Sequence, residues 1–331
     1  MDKTPEATPL SATIFWSFIR NMGQNPVVLF TGSRYLGYAM QFVRGILVAK
    51  FLGPYLFGIW GFLTLVQQYL MYTSFGFQYA INVELAVNSL DDKDRHATYI
   101  GTALMMTLVI GGILALAGAL IQFNAVPLFG KYNFNQYVFA LCLIVAFTHL
   151  KEVFANVYRV YGKLGRIMVG ELLIAFLSLS VVFFFRDEAL IIALLAAMGL
   201  SSLLATVIFS VKAPFPIVPQ FNVPLIRHMI VIGIPLLVYN LGFALMTIVG
   251  RTVVSVYYSV EELGFFTLAN SITTATLLGL RAITWVVFPS ILTKTRDGLP
   301  DAAVLETVDK VNDLYSTAVF FVVFGMILLA P

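Results

Sequence analysis

Cysteine is nearly missing: Cys142 is the single one in 331 residues, which excludes an intrachain disulfide and a cysteine-rich metal site. It falls within an apolar run and reads as a small buried hydrophobe. Charge is also scarce, at 11% of residues against 60% hydrophobic, with a mean hydropathy of +0.90, and this balance excludes a soluble globule. No metal-ligand constellation, nucleotide-binding loop or nucleophile–base pair occurs, so no cofactor, no metal and no catalytic residue is expected and the chain is not read as an enzyme. Gly111-Gly112 and similar pairs are packing glycines. No nucleic-acid partner is expected. The first 26 residues lack a secretory signal pattern, because Arg20, Asn21, Gln24 and Asn25 interrupt any apolar core.

What fills the chain instead is a series of long apolar segments. They fall at Val27 to Leu52, Tyr55 to Phe77, Tyr99 to Phe123, Gln136 to Tyr161, Ile167 to Phe185, Ala189 to Val211, Ile230 to Val253, Leu263 to Ile291, and from Tyr315 onward. Most are long enough to cross a hydrocarbon core of about 30 Å, and their unbroken length selects helices over barrel strands. Eight complete spans and the start of a ninth are therefore expected, in an all-α, polytopic helical membrane protein. Turn and breaker residues separate them, among them Gly53-Pro54, Gly130, Gly162 and the proline-rich stretch from Lys212 to Pro224. Leu10 to Met22 reads as a short interfacial helix. The chain stops inside the apolar run after Phe320, and further spans are expected beyond it.

Sorting lysine and arginine by alternating sides places Lys3, Arg20, Lys93, Arg95, Arg159, Lys163, Arg166, Lys212, Arg227, Lys294, Arg296 and Lys310 on one side, against Lys50, Lys131, Arg186 and Arg251 on the other. By the positive-inside rule the N-terminus is cytoplasmic. The connections Asn88 to His96 and Lys294 to Asp313 then lie along the inner face.

Four cations remain inside spans: Arg34, Arg44, Lys151 and Arg281. Each opposes insertion by roughly 2.5 to 3.5 kcal/mol unless it meets water or a partner. A polar interior and an anionic passenger follow. Helical periodicity groups them with other polar residues: Arg34, Tyr38, Gln41 and Arg44 on the first span; His149, Glu152, Asn156, Arg159 and Lys163 on the fourth, with Lys151 one residue off; Asn240, Thr247 and Arg251 on the seventh; Asn270, Thr274 and Arg281 on the eighth. Each stripe has a plainer reading beside the cavity-lining one. Arg34 can snorkel to the headgroups, Glu152 can neutralise Lys151 or Arg159, Arg251 can be an interfacial anchor, and His149 a satisfied interior histidine. Arg offers phosphate a bidentate fork, and the polar and aromatic side chains suit sugar hydroxyls.

A faint repeat links Leu52-Gly-Pro-Tyr-Leu-Phe-Gly58, after the first span, to Ser259-Val-Glu-Glu-Leu-Gly264, after the seventh. Six spans separate the copies, so the two halves share orientation. The stretch from Gly32 to Phe77, with Leu52-Gly53-Pro54, Gly58 and Gly76, resembles the N-terminal region of Wzx-like polysaccharide flippases of the multidrug, oligosaccharidyl-lipid and polysaccharide exporter superfamily. Gly233-Ile-Pro235, Glu262-Leu-Gly264 and Phe288-Pro289-Ser290 continue the resemblance in span order. Gly250-Arg251 departs from it, where many relatives carry an acid before the Arg.

The resemblance implies a two-lobe bundle of six-helix repeats around a central cavity, with the second lobe truncated here. The corresponding division is an N-terminal cytoplasmic segment (1–26), a first lobe (27–212), a linker (213–225) and a partial second lobe (226–331). It also implies alternating access and the carriage of an undecaprenyl-pyrophosphate-linked oligosaccharide to the outer leaflet of a bacterial or archaeal inner membrane, for surface polysaccharide biosynthesis. Lipid-linked oligosaccharide is then the substrate, membrane lipid the surroundings, and polysaccharide assembly enzymes the neighbours. Cavity candidates are Arg34, Gln41, Arg44, Lys151, Glu152, Asn156, Arg159, Asn240, Arg251, Asn270 and Arg281. A cation-coupled multidrug exporter of the same superfamily is the nearest alternative, although such exporters commonly place an acid in the first span, which here has none. A polytopic polysaccharide polymerase is a weaker one, since the longest outer connection is about a dozen residues.

Overall fold

The computed structural model describes residues 26–87, 93–123 and 128–274, together with isolated helical positions between 309 and 324. The segment Leu10 to Met22, the span end at Ile291 with Arg281 and Phe288-Pro289-Ser290, and the connection from Lys294 lie outside the described residues. The described residues form no strand, in keeping with the all-helical expectation. Two units divide the chain, Met1–Thr267 and Leu268–Pro331. The second is described over 268–274, which are helical, and at the isolated positions.

The first long helix, α1 (Pro26–Leu70), joins two arms at Gly53, whose φ of 66° and ψ of 175° are not helical. Only glycine reaches that conformation cheaply, and Pro54 then opens the second arm. Forty-five unbroken residues would extend about 67 Å, twice the hydrocarbon thickness. The break therefore makes two spans of what hydropathy alone would fuse. A 3-10 turn, Met71–Ser74, leads into the short helix α2 (Phe77–Val87), which the hydropathy pattern leaves unassigned because eleven residues are too few to cross. Helix α3 (Lys93–Phe123) begins six residues before the expected Tyr99, since charged residues at a membrane boundary extend a helix without breaking it. Then follow α4 (Val138–Val160), α5 (Leu164–Phe184), α6 (Asp187–Ser210) and α7 (Val223–Tyr257). Six of these helices have the length and apolarity to cross a membrane.

Short connections force antiparallel neighbours. Gly162, at φ 66°, turns α4 into α5, and only Phe185 and Arg186 separate α5 from α6. The main packing partners are α3 with α4, α1 with α5, α5 with α6, and α4 with α6. Glycines allow close crossings: Gly118 lies against Cys142, and Gly170 against Phe209. Buried Ile59, Leu63, Ile100, Leu141, Val145, Ile191 and Leu194 fill the interior between them. Several threonine hydroxyls in the spans donate to carbonyls three or four residues back, as Thr107 does to Ala103 at 2.7 Å and Thr247 to Ala244 at 2.8 Å, so these bring no unsatisfied donor into the apolar medium.

Helix α7 starts on a side-chain cap, with Asn222 accepting from the Leu225 amide at 3.1 Å and Pro224 in the first turn. It packs chiefly on α2 and leaves Val231, Val238, Phe243, Met246 and Val253 exposed. After its C-terminus the chain re-enters a helix at Val260. There the two glycines of the faint repeat meet: a Cβ on Gly58 would strike the Val260 carbonyl, and one on Gly264 would strike the Pro54 carbonyl. Equivalent positions of the two copies thus face each other's backbone, a second reason for glycine at both.

Candidate functional site

The polar residues within the spans separate into two groups. The first lies where the N-terminal arm of α1, the second half of α4 and the start of α5 come together. Arg34, Glu152 and Glu171 each sit seven or eight residues from the end of their helix, about 11 Å of helical rise, so three helices present charge at one depth. Arg34 Nε lies 3.2 Å from Glu171 Oε2, and Lys151 Nζ lies 2.8 Å from Glu152 Oε1. Arg159 and Arg34 add their fields at Glu152. On the same face of α4, Arg159 donates to Asn156 Oδ1 at 3.2 Å, and the Asn156 amide donates to the Gln78 carbonyl at 3.1 Å. One turn deeper, buried His149 meets Thr73 Oγ1 at 3.3 Å. Pairing offsets the desolvation that isolated charges suffer in a span.

Glu171 has no counterpart in the sequence reading, which treats its segment as apolar throughout. A signal was present: it is the one acid between Gly165 and Phe185, a span otherwise without charge except Arg166 at its edge. Its partner Arg34 is 137 positions away, and no periodicity links them.

Arg44 behaves differently. It lies ten residues beyond Arg34 on the same arm, is partly exposed, and forms no hydrogen bond or ion pair with the described residues. Exposed Gln41 lies one turn before it.

The second group joins α7 to α1. Arg251 is 4% exposed, and its Nη2 donates to the Gly61 carbonyl and, at 2.8 Å, to Thr64 Oγ1, while Nη1 reaches Gln68 Oε1 at 3.4 Å. This buried clamp replaces the interfacial anchor that its place near the span end suggests. Beside it, Tyr69 OH and Thr252 Oγ1 lie 2.7 Å apart, and Tyr132 OH donates to the Ser255 carbonyl at 2.7 Å. Tyr132 also stacks on Phe62, and its burial pushes the phenol up to about 12. At the opposite end of α7, His228 Nε2 lies 2.8 Å from Glu84 Oε1, and Gly233 approaches Gly76 closely.

Asn240 donates to Leu236 of its own helix at 2.7 Å. Asn270 belongs to the second unit. No group of three or more metal-ligating side chains occurs among the described residues.

Six helices long and apolar enough to cross a membrane define a multi-pass membrane protein. Its fold is shared with solved transporters. A MATE multidrug transporter, DinF-BH, solved as a complex, superposes with a TM-score of 0.63 at 18% identity, over 99% of this chain and 77% of its own. A point mutant of a MATE protein gives 0.56 at 15% identity, over 88% and 77%. A search of curated proteins gives no significant match. The chain belongs to the polysaccharide biosynthesis protein family, whose model matches residues 23–293.

Proposed function

We propose that the protein is a flippase that carries a lipid-linked oligosaccharide, an undecaprenyl-pyrophosphate glycan, from the cytoplasmic to the outer leaflet of the cell membrane by alternating access. In this reading residues 27–212 are one lobe, 226–331 belong to the second, and the N-terminus is cytoplasmic. Family membership supports the substrate class. The observation that carries the mechanism is Arg44, a guanidinium in mid-span without a protein partner among the described residues. An unpaired cation there opposes insertion by about 2.5 to 3.5 kcal/mol. A pyrophosphate oxygen that takes its bidentate fork offsets that cost during passage.

Gln41 and Tyr38 then face the first sugars, and the Arg34–Glu171 and Lys151–Glu152 pairs keep the cytoplasmic side polar without trapping the anion. Arg251 holds the lobes rather than the cargo.

The rival reading is a cation-coupled multidrug exporter, a function that the name of the MATE multidrug transporter of like fold suggests. Full-length protein in liposomes, offered a lipid-pyrophosphate glycan in the inner or outer leaflet and a fluorescent organic cation in parallel, separates the two. Translocation of the glycan without export of the cation is expected. Export of the cation with the glycan stationary contradicts the proposal.

A further inference from the structure

A basic recess lies outside both polar groups, where α5 starts and α6 ends. Its volume is about 470 Å³, and Lys163, Gly165, Arg166, Val169 and Ile208 line it. Arg166 is fixed at the wall by hydrogen bonds to Tyr158 OH at 2.7 Å and to the carbonyls of Val211 and, at 3.1 Å, Lys212. These partners are neutral, so they position the guanidinium and leave its charge uncompensated. No carboxylate is among the lining residues, and exposed Lys212 adjoins the edge through the carbonyl that accepts from Arg166.

The backbone reinforces this field. Helix α5 opens at Leu164 with no side-chain cap, and Lys163 occupies the cap position. Its first-turn amides lack intrahelical partners and form the positive end of a 21-residue helix. Gly165 leaves open space in front of them.

The surroundings identify the ligand as a lipid rather than a solute. With about 31 Å of rise, α5 matches the hydrocarbon thickness, which puts Lys163 and Arg166 at headgroup level. From the recess an exposed apolar stripe runs along the span, formed by Val169 of α5 and by Val207, Leu204, Leu203 and Leu200 of α6. A phosphate above an apolar track is the shape of a phospholipid.

We infer that the recess between α5 and α6 is a binding site for one anionic phospholipid, with its phosphodiester between Lys163, Arg166 and the α5 amides and its acyl chains along α6. Basic pockets between spans at the cytoplasmic level hold anionic headgroups by the same chemistry. Because none of the lining residues belongs to the Arg34–Glu152–Glu171 cluster or to the Arg251 clamp, the lipid is a fixed neighbour and not cargo.

Native mass spectrometry of the full-length protein in neutral detergent, loaded with equal phosphatidylglycerol and phosphatidylcholine, tests this. Lys163→Gln and Lys212→Gln spare the hydrogen-bonded Arg166, and Lys50→Gln, an exposed charge at the other end of the bundle, is the control. Preferential retention of one phosphatidylglycerol is expected, weakened about fivefold by each of the first two changes. Lys50→Gln should leave it unaltered. Equal retention of the two lipids, an equal loss with Lys50→Gln, or no loss with Lys163→Gln and Lys212→Gln overturns the inference. So does displacement by inorganic phosphate, which would make the recess a site for a free anion.

Discussion

The cluster on α1, α4 and α5 and the clamp between α7 and α1 both hold arginine within spans, half-buried in the first and buried in the second, and they neutralise it in different ways. In the cluster Arg34 and Lys151 each meet a carboxylate, Glu171 and Glu152, while Arg159 donates to the Asn156 amide oxygen. In the clamp Arg251 meets a backbone carbonyl, a hydroxyl and an amide oxygen, with no carboxylate among its contacts. A charge pair fixes two side chains to each other and leaves a net neutral surface. A guanidinium on carbonyls fixes one helix to another's backbone and stays cationic. The cluster therefore suits a lining past which an anion moves, and the clamp suits a joint.

This contrast predicts what each region tolerates, beginning with the joint. Gly58→Val drives a branched side chain into the Val260 backbone and should cost about 3 kcal/mol or more, seen as loss of folded protein in thermal unfolding in detergent. Near-normal stability would mean that the crossing of the two repeat glycines is loose. In the cluster, Glu171→Gln leaves Arg34 without its counter-charge and should cost about 2 to 3 kcal/mol. The double change Arg34→Met with Glu171→Met should recover most of that, because removing both members of this half-buried pair leaves no uncompensated charge in the span. If the double variant is no better than the single, the pair is not a unit.

Arg251→Met should cost about 1 to 2 kcal/mol, given the modest worth of hydrogen bonds between spans, and no second substitution should rescue it, because the Gly61 carbonyl cannot be removed. Rescue by Thr64→Val would erase the distinction between the two regions. The smallest effect belongs to Tyr132, beside the clamp. Its folded phenol, pushed up to about 12 by burial, holds its proton more tightly than the unfolded one near 10. Its contribution is complete below pH 10 and declines as pH rises from 10 toward 12. Tyr132→Phe should flatten that alkaline decline in a stability–pH profile.

The two regions also differ in how far their residues reveal them. Gly53-Pro54 announces the break between the first two spans, because few residues besides glycine accept φ of 66° and proline cannot continue a helix from before it. The α4 stripe is equally plain, since residues 149, 152, 156 and 159 share one helical face. What periodicity within one helix cannot show is a partner on another. Glu171 is visible as an acid in an apolar span, but nothing local connects it with Arg34. Arg251 is harder still, because its chief acceptor is the carbonyl of a glycine, a group that every residue possesses. Helix α2 escapes for another reason: eleven residues carry no crossing signal.

Arg44 stands apart from both regions, as a cation within a span that forms no hydrogen bond or ion pair with the described residues. The most direct measurement is the initial rate of lipid-pyrophosphate glycan translocation in liposomes for wild type, Arg44→Lys and Arg44→Ala at matched protein content. Loss of a charge-assisted phosphate contact is worth about 1.5 to 3 kcal/mol, or roughly 10- to 150-fold. Arg44→Ala should fall within that range and Arg44→Lys should retain part of the rate, since a point charge replaces a fork. An Arg44→Ala rate within about twofold of wild type, less than about 0.5 kcal/mol, would contradict a role for this cation in carrying the pyrophosphate.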